Sequence, residues 1–283
     1  MEQLPSEKIP CLDRGHVQLL DVMGDDQAIV DAARTSIAGK SVKASSSTKG
    51  LIRYLLRHRH TTPFEMVEFK FEMKMPIFVA RQFIRHRTAN VNEMSGRYSE
   101  MPEEFYVPDP ENVKVQASKN KQGRGEEVLE NAEDICRALH NEAQQAFSNY
   151  HGYLEEGMAR ELARSNLPLS TYTQWVWKCD LHNIMHLLSL RLHPHAQWEI
   201  RVFAEAMAEL IKPYVPIAWK AFEDYRLHGM FLTRPDIETL QLLLEDLMGN
   251  GSFTPPNNDL FPTDREYTEF IGKLVRLGID LEE

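Results

Sequence analysis

Val67-Glu68-Phe69-Lys70-Phe71-Glu72-Met73-Lys74 is the stretch that decides how this chain folds. Apolar Val67, Phe69, Phe71 and Met73 alternate with charged Glu68, Lys70, Glu72 and Lys74, the period of two that a half-buried strand requires. Downstream, Pro76 suits the first turn of a short helix through Arg85, and TANVNEMSG (88–96) has the composition of a loop. Upstream, HRHTTPFE (58–65) follows a helix expected over Lys49–Arg57, and residues 36–50, rich in Ser, Lys and Gly, read as a loop. Before that loop, His16–Met23 alternates as a strand, Gly24 punctuates it, and Asp25 can N-cap a helix to about Thr35.

Towards the C-terminus the spacing predicts one long amphipathic helix over 124–157. Its stripe is Val128, Ala132, Ile135, Leu139, Ala143, Ala146, Tyr150 and Tyr153. Thr171–Cys179 reads as a strand, and helices are expected over 181–192 and 195–213, separated by HPH. From Gly229 the character changes: a helix over 235–248, a Gly/Pro/Asn linker over 249–258 and a helix over 264–278. The division expected is a catalytic domain over 1–229 and a helical extension over 230–283. Leu240, Leu243, Leu244 and Leu247 form a stripe that should pack on the body or on a neighbouring subunit.

The hydrophobic share of 42% and charged share of 26% are ordinary for a globular protein. No apolar run reaches the roughly 20 residues that span a bilayer. MEQLPSEKIP carries neither a basic start nor an apolar core of a secretory signal, so a soluble cytoplasmic protein without a membrane partner is expected. Cys11, Cys136 and Cys179 are widely spaced, against a disulfide framework or a CxxC metal site. The net charge of -10 disfavours general nucleic-acid binding, yet residues 51–100 carry nine Lys/Arg against five Asp/Glu, which marks an anion site. There is no GxGxxG, GxxxxGK[ST] or HExxH.

The densest functional segment is Arg85-His86-Arg87-Thr88-Ala89-Asn90-Val91-Asn92-Glu93-Met94-Ser95-Gly96-Arg97. Guanidinium forks bind phosphate oxygens bidentately, and a hydroxyl and Gly-adjacent amides add donors. By composition alone a solvated basic face with a capping turn is an equal reading.

This segment resembles the signature of flavin-dependent thymidylate synthases, RHR, two free positions, Ser, one free, Asn-Glu, one free, Ser, one free and Arg. Asn90 stands where Ser is usual. The resemblance continues through HRHTTPFE (58–65), PIFVARQFIRHR (76–87), ELARSNLPLSTYT (161–173) and LSLRLHPHAQWEI (188–200). It implies an α/β fold of the α+β type, with a twisted, mostly antiparallel sheet packed with helices, and a homotetramer with active sites between subunits. It implies methylation of dUMP to dTMP with FAD as cofactor and NADPH and 5,10-methylenetetrahydrofolate as co-substrates, without nucleic acid or a resident metal. The positions matching dUMP ligands are Gln82, Arg85, Glu93, Ser95, Gly96, Arg97, Arg164 and Arg191. Those matching flavin contacts are His60, Thr62, Arg85, His86, Arg87, Glu93, Asp180, His182 and His186, with Asp180 and His182 replacing the family's usual Asn and Arg.

The chemistry is consistent with that resemblance. Carbon 5 of uracil is a poor nucleophile, and no cysteine lies in a sequence segment of the Arg/His-rich kind that stabilises a thiolate. A fixed arginine can instead stabilise charge on the ring, and Arg191 matches that role; without the resemblance it would read as a helix-terminal cation. Ser95, among arginines and without an adjacent general base, suits phosphate binding better than attack. His193, His195 and Glu199 could be a two-His, one-carboxylate metal set, although HxH around Pro194 reads more simply as capping and packing. A nucleic-acid surface over 51–97 is the remaining alternative, weakened by the acidic balance elsewhere.

Overall fold

The alternating segment becomes the middle strand of a five-stranded antiparallel sheet. The computed structural model describes residues 4–36, 47–118, 123–248 and 261–279. Residues Met1–Phe222 and Glu223–Glu283 form two compact units.

The first unit runs β1 (Ile9–Cys11), β2 (Gly15–Met23), α1 (Asp26–Thr35), α2 (Thr48–Arg57), β3 (Glu68–Pro76), α3 (Ile77–Phe83), β4 (Asn90–Glu93), β5 (Lys114–Gln116) and β6 (Arg124–Val128). It continues with α4 (Ala132–Glu155), α5 (Arg160–Ala163), β7 (Tyr172–Asp180), α6 (Leu181–Arg191), α7 (Trp198–Ile211) and α8 (Pro216–Phe222). The sheet order is β1-β2-β3-β7-β4, and β5 and β6 form a separate hairpin. In register, Phe69 faces Cys179, Phe71 faces Trp177 and Met73 faces Trp175. Phe69, Phe71, Met73 and Met75 are fully buried, as the alternation requires. Against the sheet pack α3, α6 and α7, and α7 contributes Ile200, Phe203, Ala204, Met207 and Ile211 to the core. Burying each of its larger side chains stabilises the fold by up to about 1.5–3 kcal/mol. Phe203 fits over β2 because Gly15 has no Cβ: one built there would lie 2.6 Å from the Cys11 carbonyl and 2.9 Å from Phe203 Cζ.

Local signals hold at several termini. Asp25 caps α1 by accepting from the amides of Gln27 and Ala28 at 2.9 and 3.1 Å, a cap worth about 1 kcal/mol. Two expectations are corrected. TANVNEMSG is not all loop, because Asn90–Glu93 pairs with Lys178–Trp175 as an edge strand; all four side chains are exposed, so no alternation betrays it. The helix expected over 124–157 starts only at Ala132, since Arg124–Val128 pairs with β5 instead. Its buried residues are Ala132, Ala143, Phe147 and Tyr150, whereas Leu139 and Tyr153 are exposed. Three residues of the expected stripe, Ala132, Ala143 and Tyr150, lie on the buried face, and Phe147, outside the stripe, completes it.

The second unit contains a π-helical turn (Glu223–Leu227), α9 (Arg234–Met248) and α10 (Asp264–Arg276). Within it, Thr263 caps α10 through the Glu266 amide, and Gln241 Nε2 donates to the Arg276 carbonyl at 2.8 Å. The linker expected over 249–258 lies outside the described residues, as do the side chains of Leu243 and Leu247. No helix among the described residues is long and apolar enough to cross a membrane.

Candidate active site

Where β7 ends, α6 begins, and Asp180 makes the junction. Its Oδ1 accepts from the Asn183 amide at 2.9 Å and its Oδ2 from Asn183 Nδ2 at 2.8 Å. This is an N-cap that uses both oxygens and also fixes the Asn183 side chain. Facing α6 is the turn after α3, and together they enclose a cavity of about 210 Å³ lined by Arg85, His86, Arg87, Thr88, Cys179, Asn183 and His186.

At the end of α6, Arg191 is half-buried, and its Nε donates to His86 Nε2 at 3.2 Å. Arginine can only donate, so His86 must accept there and carry its proton on Nδ1. Burial, followed by the charge of Arg191 and then His186, holds the His86 pKa down to about 4. A neutral His86 can therefore stand beside a guanidinium at neutral pH. Burial also lowers the Arg191 pKa, although an arginine keeps its charge. The His186 ring meets His86 edge-on, with centroids 6.1 Å apart.

A second group forms after β4. The Arg97 amide donates to Ser95 Oγ at 3.3 Å, and the Arg97 guanidinium pairs with Glu161 through Nε at 3.2 Å and Nη2 at 3.1 Å. Gly96 lets Arg164 approach, since an added Cβ would lie 3.0 Å from Arg164 Cδ and 2.7 Å from Met101 Sδ. The signature thus has its RHR at the cavity and its Ser-Gly-Arg beside Arg164, with β4 between them.

The remaining expected positions do not line the cavity, although Asp180 holds Asn183, which does. Glu93 Oε1 accepts from Thr173 Oγ1 at 2.5 Å, and Gln82 Nε2 donates to Gln197 Oε1 at 2.5 Å. The His60 amide donates to the Leu55 carbonyl at 2.9 Å, and Thr62 opens a short 3-10 turn; both residues are exposed. His60, Thr62, Asp180 and His182 do not line the cavity. Sequence reasoning missed Thr88, Cys179 and Asn183. Asn183 carried a signal, an amide three residues after a capping Asp. Cys179 carried none, because only the fold brings its thiol to donate to the Thr88 carbonyl at 3.0 Å. Although it lines a basic cavity, burial pushes the Cys179 thiol up to about 12. Glu199 is turned away from His193 and His195, towards Arg124, Tyr106 and Gln197.

A cavity lined by Arg85 and Arg87, with Arg97 further along the same signature and Arg164 beside its neighbour Gly96, is a donor set suited to anionic ligands. The family model of the thymidylate synthase complementing protein matches residues 18–217. A flavin-dependent thymidylate synthase of Thermus thermophilus is 54% identical over 236 residues, covering 83% of this chain and 86% of its own. That of Ruegeria pomeroyi is 48% identical over 270 residues (93% and 88%), and that of Rickettsia conorii 46% over 286 (96% and 95%). Among solved structures, the UMP/dUMP methylase PolB from Streptomyces cacaoi, bound with 5-Br dUMP, superposes with a TM-score of 0.70. It is 35% identical and covers 78% of this chain and 100% of that one. The chain belongs to the flavin-dependent thymidylate synthase family. As such it converts dUMP to dTMP, with FAD as cofactor and methylenetetrahydrofolate and NADPH as co-substrates.

Proposed function

We propose that this chain performs the reductive methylation without an enzyme thiolate, with Arg191 stabilising charge that develops on the pyrimidine. The observation that carries this reading is the half-buried Arg191, which does not itself line the cavity but donates to His86, a residue that does. A cation held by a neutral partner, partly out of water, acts more strongly on a developing anion than an exposed, ion-paired one. All three thiols are held protonated by burial, Cys11 and Cys179 with pKa values pushed up to about 12 and Cys136 also raised.

Around the cavity, Arg85, His86, Arg87 and His186 would hold FAD, with Glu93, Asp180, His182, Thr62 and His60 as further contacts. Paired arginines suit a diphosphate and the asparagine amide a polar ring edge, so the donor set fits a flavin dinucleotide. When bound, the flavin supplies the redox chemistry. Ser95, Gly96, Arg97 and Arg164, with Gln82, Arg85, Glu93 and Arg191, would hold dUMP, its phosphate competing with Glu161 for Arg97. A cavity of about 210 Å³ is smaller than the roughly 300–1,000 Å³ of complete cofactor sites. A cavity of that size would need completion by a neighbouring copy, in keeping with a homotetramer with sites between subunits. Residues 1–229 would form the catalytic domain and 230–283 a stabilising helical extension, in a cytoplasmic enzyme.

The visible spectrum of the purified oligomer, with and without dUMP, tests the site. Flavin bands that shift on adding dUMP are expected. A flavin-loaded protein whose spectrum and calorimetry show no dUMP response would overturn the assignment of adjoining sites.

A further inference from the structure

Behind Gln82 lies a directional chain of hydrogen bonds. Glu199 on α7 is 4% exposed, and both of its oxygens accept from one Arg124 nitrogen, Nη2, at 2.5 and 2.6 Å. The Tyr106 hydroxyl donates to Oε1 at 3.3 Å and Gln197 Nε2 to Oε2 at 2.9 Å. Gln197 Oε1 then accepts from Gln82 Nε2 at 2.5 Å. Arg124 is itself anchored, its Nη1 donating at 3.0 Å to the carbonyl of Asn112, which ends the short 3-10 turn before β5.

An amide can turn by 180° at little cost, so a glutamine in a binding site has two nearly isosteric faces. Here the ambiguity is removed. An arginine only donates, so the Glu199 oxygens must accept; they force Gln197 to offer its NH2 to Glu199 and its carbonyl to Gln82. Gln82 must in turn spend one N–H on Gln197, which leaves its carbonyl oxygen and its second N–H in a fixed order. We infer that Gln197, oriented by Glu199 and Arg124, is a positioning residue that sets the amide orientation of Gln82 for nucleotide binding. This rests on the reading of Gln82 as a dUMP ligand. It gives the β5–β6 hairpin a part in substrate recognition, and it needs no contact of Gln197 with the substrate.

The test is a double-mutant cycle on the FAD-loaded oligomer, with dUMP dissociation constants from calorimetry and steady-state kinetics. Gln197→Met keeps length and removes both hydrogen bonds. Dissociation constant and KM should rise by about 3–10-fold, the value of one neutral hydrogen bond, with kcat within about twofold and flavin content unchanged. Gln82→Ala should weaken dUMP binding by at least as much, and adding Gln197→Met to it should weaken binding no further. If Gln82→Ala leaves dUMP affinity intact, the ligand reading of Gln82 fails. If Gln82→Ala weakens binding while Gln197→Met is silent, or if the two effects add, the positioning inference fails. Should Gln197→Met not fold, Glu199→Gln enters the same cycle: it keeps the packing but lets the amide at Gln197 face either way, and the same non-additivity with Gln82→Ala is required.

Discussion

The two arginine groups of this site differ in how they are held. Arg191 is half-buried at the end of α6, its Nε against a neutral imidazole; Arg97 is exposed and shares its guanidinium with the exposed Glu161. Partial burial, with no carboxylate salt-bridged to it among the described residues, keeps the Arg191 charge available, and the desolvation lowers its pKa. Exposure with a carboxylate gives Arg97 a weak pair, worth about 0–1 kcal/mol, that a phosphate can displace. On the function proposed above, the inner cation would act on chemistry and the outer one would capture an anion.

The largest effect should come from the inner group. Arg191→Ala is expected to lower kcat by roughly 10²–10³ with the fold and flavin content retained. Turnover near that of the parent enzyme would remove Arg191 from the mechanism. Arg97→Ala and Arg164→Ala should act mainly on dUMP capture, raising KM by about 10–100-fold with a smaller change in kcat, as expected for charge-assisted phosphate contacts. A collapse of kcat at constant KM in these variants would erase the distinction between the groups.

A smaller effect concerns pH. His86 has its pKa depressed to about 4 in the fold, against an ordinary value near 6.5 in the unfolded chain. Between those values the unfolded state binds the extra proton, so this contribution is fully present above about pH 6.5 and is lost as pH falls towards 4. Half exposed to solvent, the group should contribute on the order of 1 kcal/mol. Thermal melts should show a shallower loss from pH 6.5 to 4.5 in His86→Asn than in the parent; parallel curves would mean that His86 titrates freely. Least of all should follow from replacing Cys11, Cys136 and Cys179 together by Ala. Activity per folded site is expected to persist, with a modest drop in melting temperature from packing at the buried Cys11 and Cys179. A folded but inactive triple variant, revived by restoring one thiol, would refute the thiol-free reaction.

Much of this was legible in the sequence wherever one residue's neighbours along the chain determine its environment. The alternation over Val67–Met73, the Asp25 cap and the compact RHR signature are of that kind. What was not legible depends on pairing between distant segments. Asn90–Glu93 becomes a strand because β7 offers it a free edge, and Arg124 leaves the expected helix because a hairpin partner and Glu199 hold it. Cys179 reaches the cavity, and Asp180 spends its carboxylate on a cap, only once β7 runs into α6. The sequence placed Cys179 at the end of its strand and Asp180 on no element, and it could not show which way either was engaged.

The sheet's outermost strands carry a further meaning. Its three long strands, β2, β3 and β7, have nine residues each, while the borders are the three-residue β1 and the four-residue β4. Short, polar borders are how proteins keep long apolar strands from recruiting foreign chains edge to edge. Asn90-Val91-Asn92-Glu93, with its exposed side chains and a charge at its end, is such a border for β7. The signature segment therefore covers the β7 edge, and a substitution there that frees this edge is expected to reduce the yield of soluble enzyme before any assay of turnover could be made.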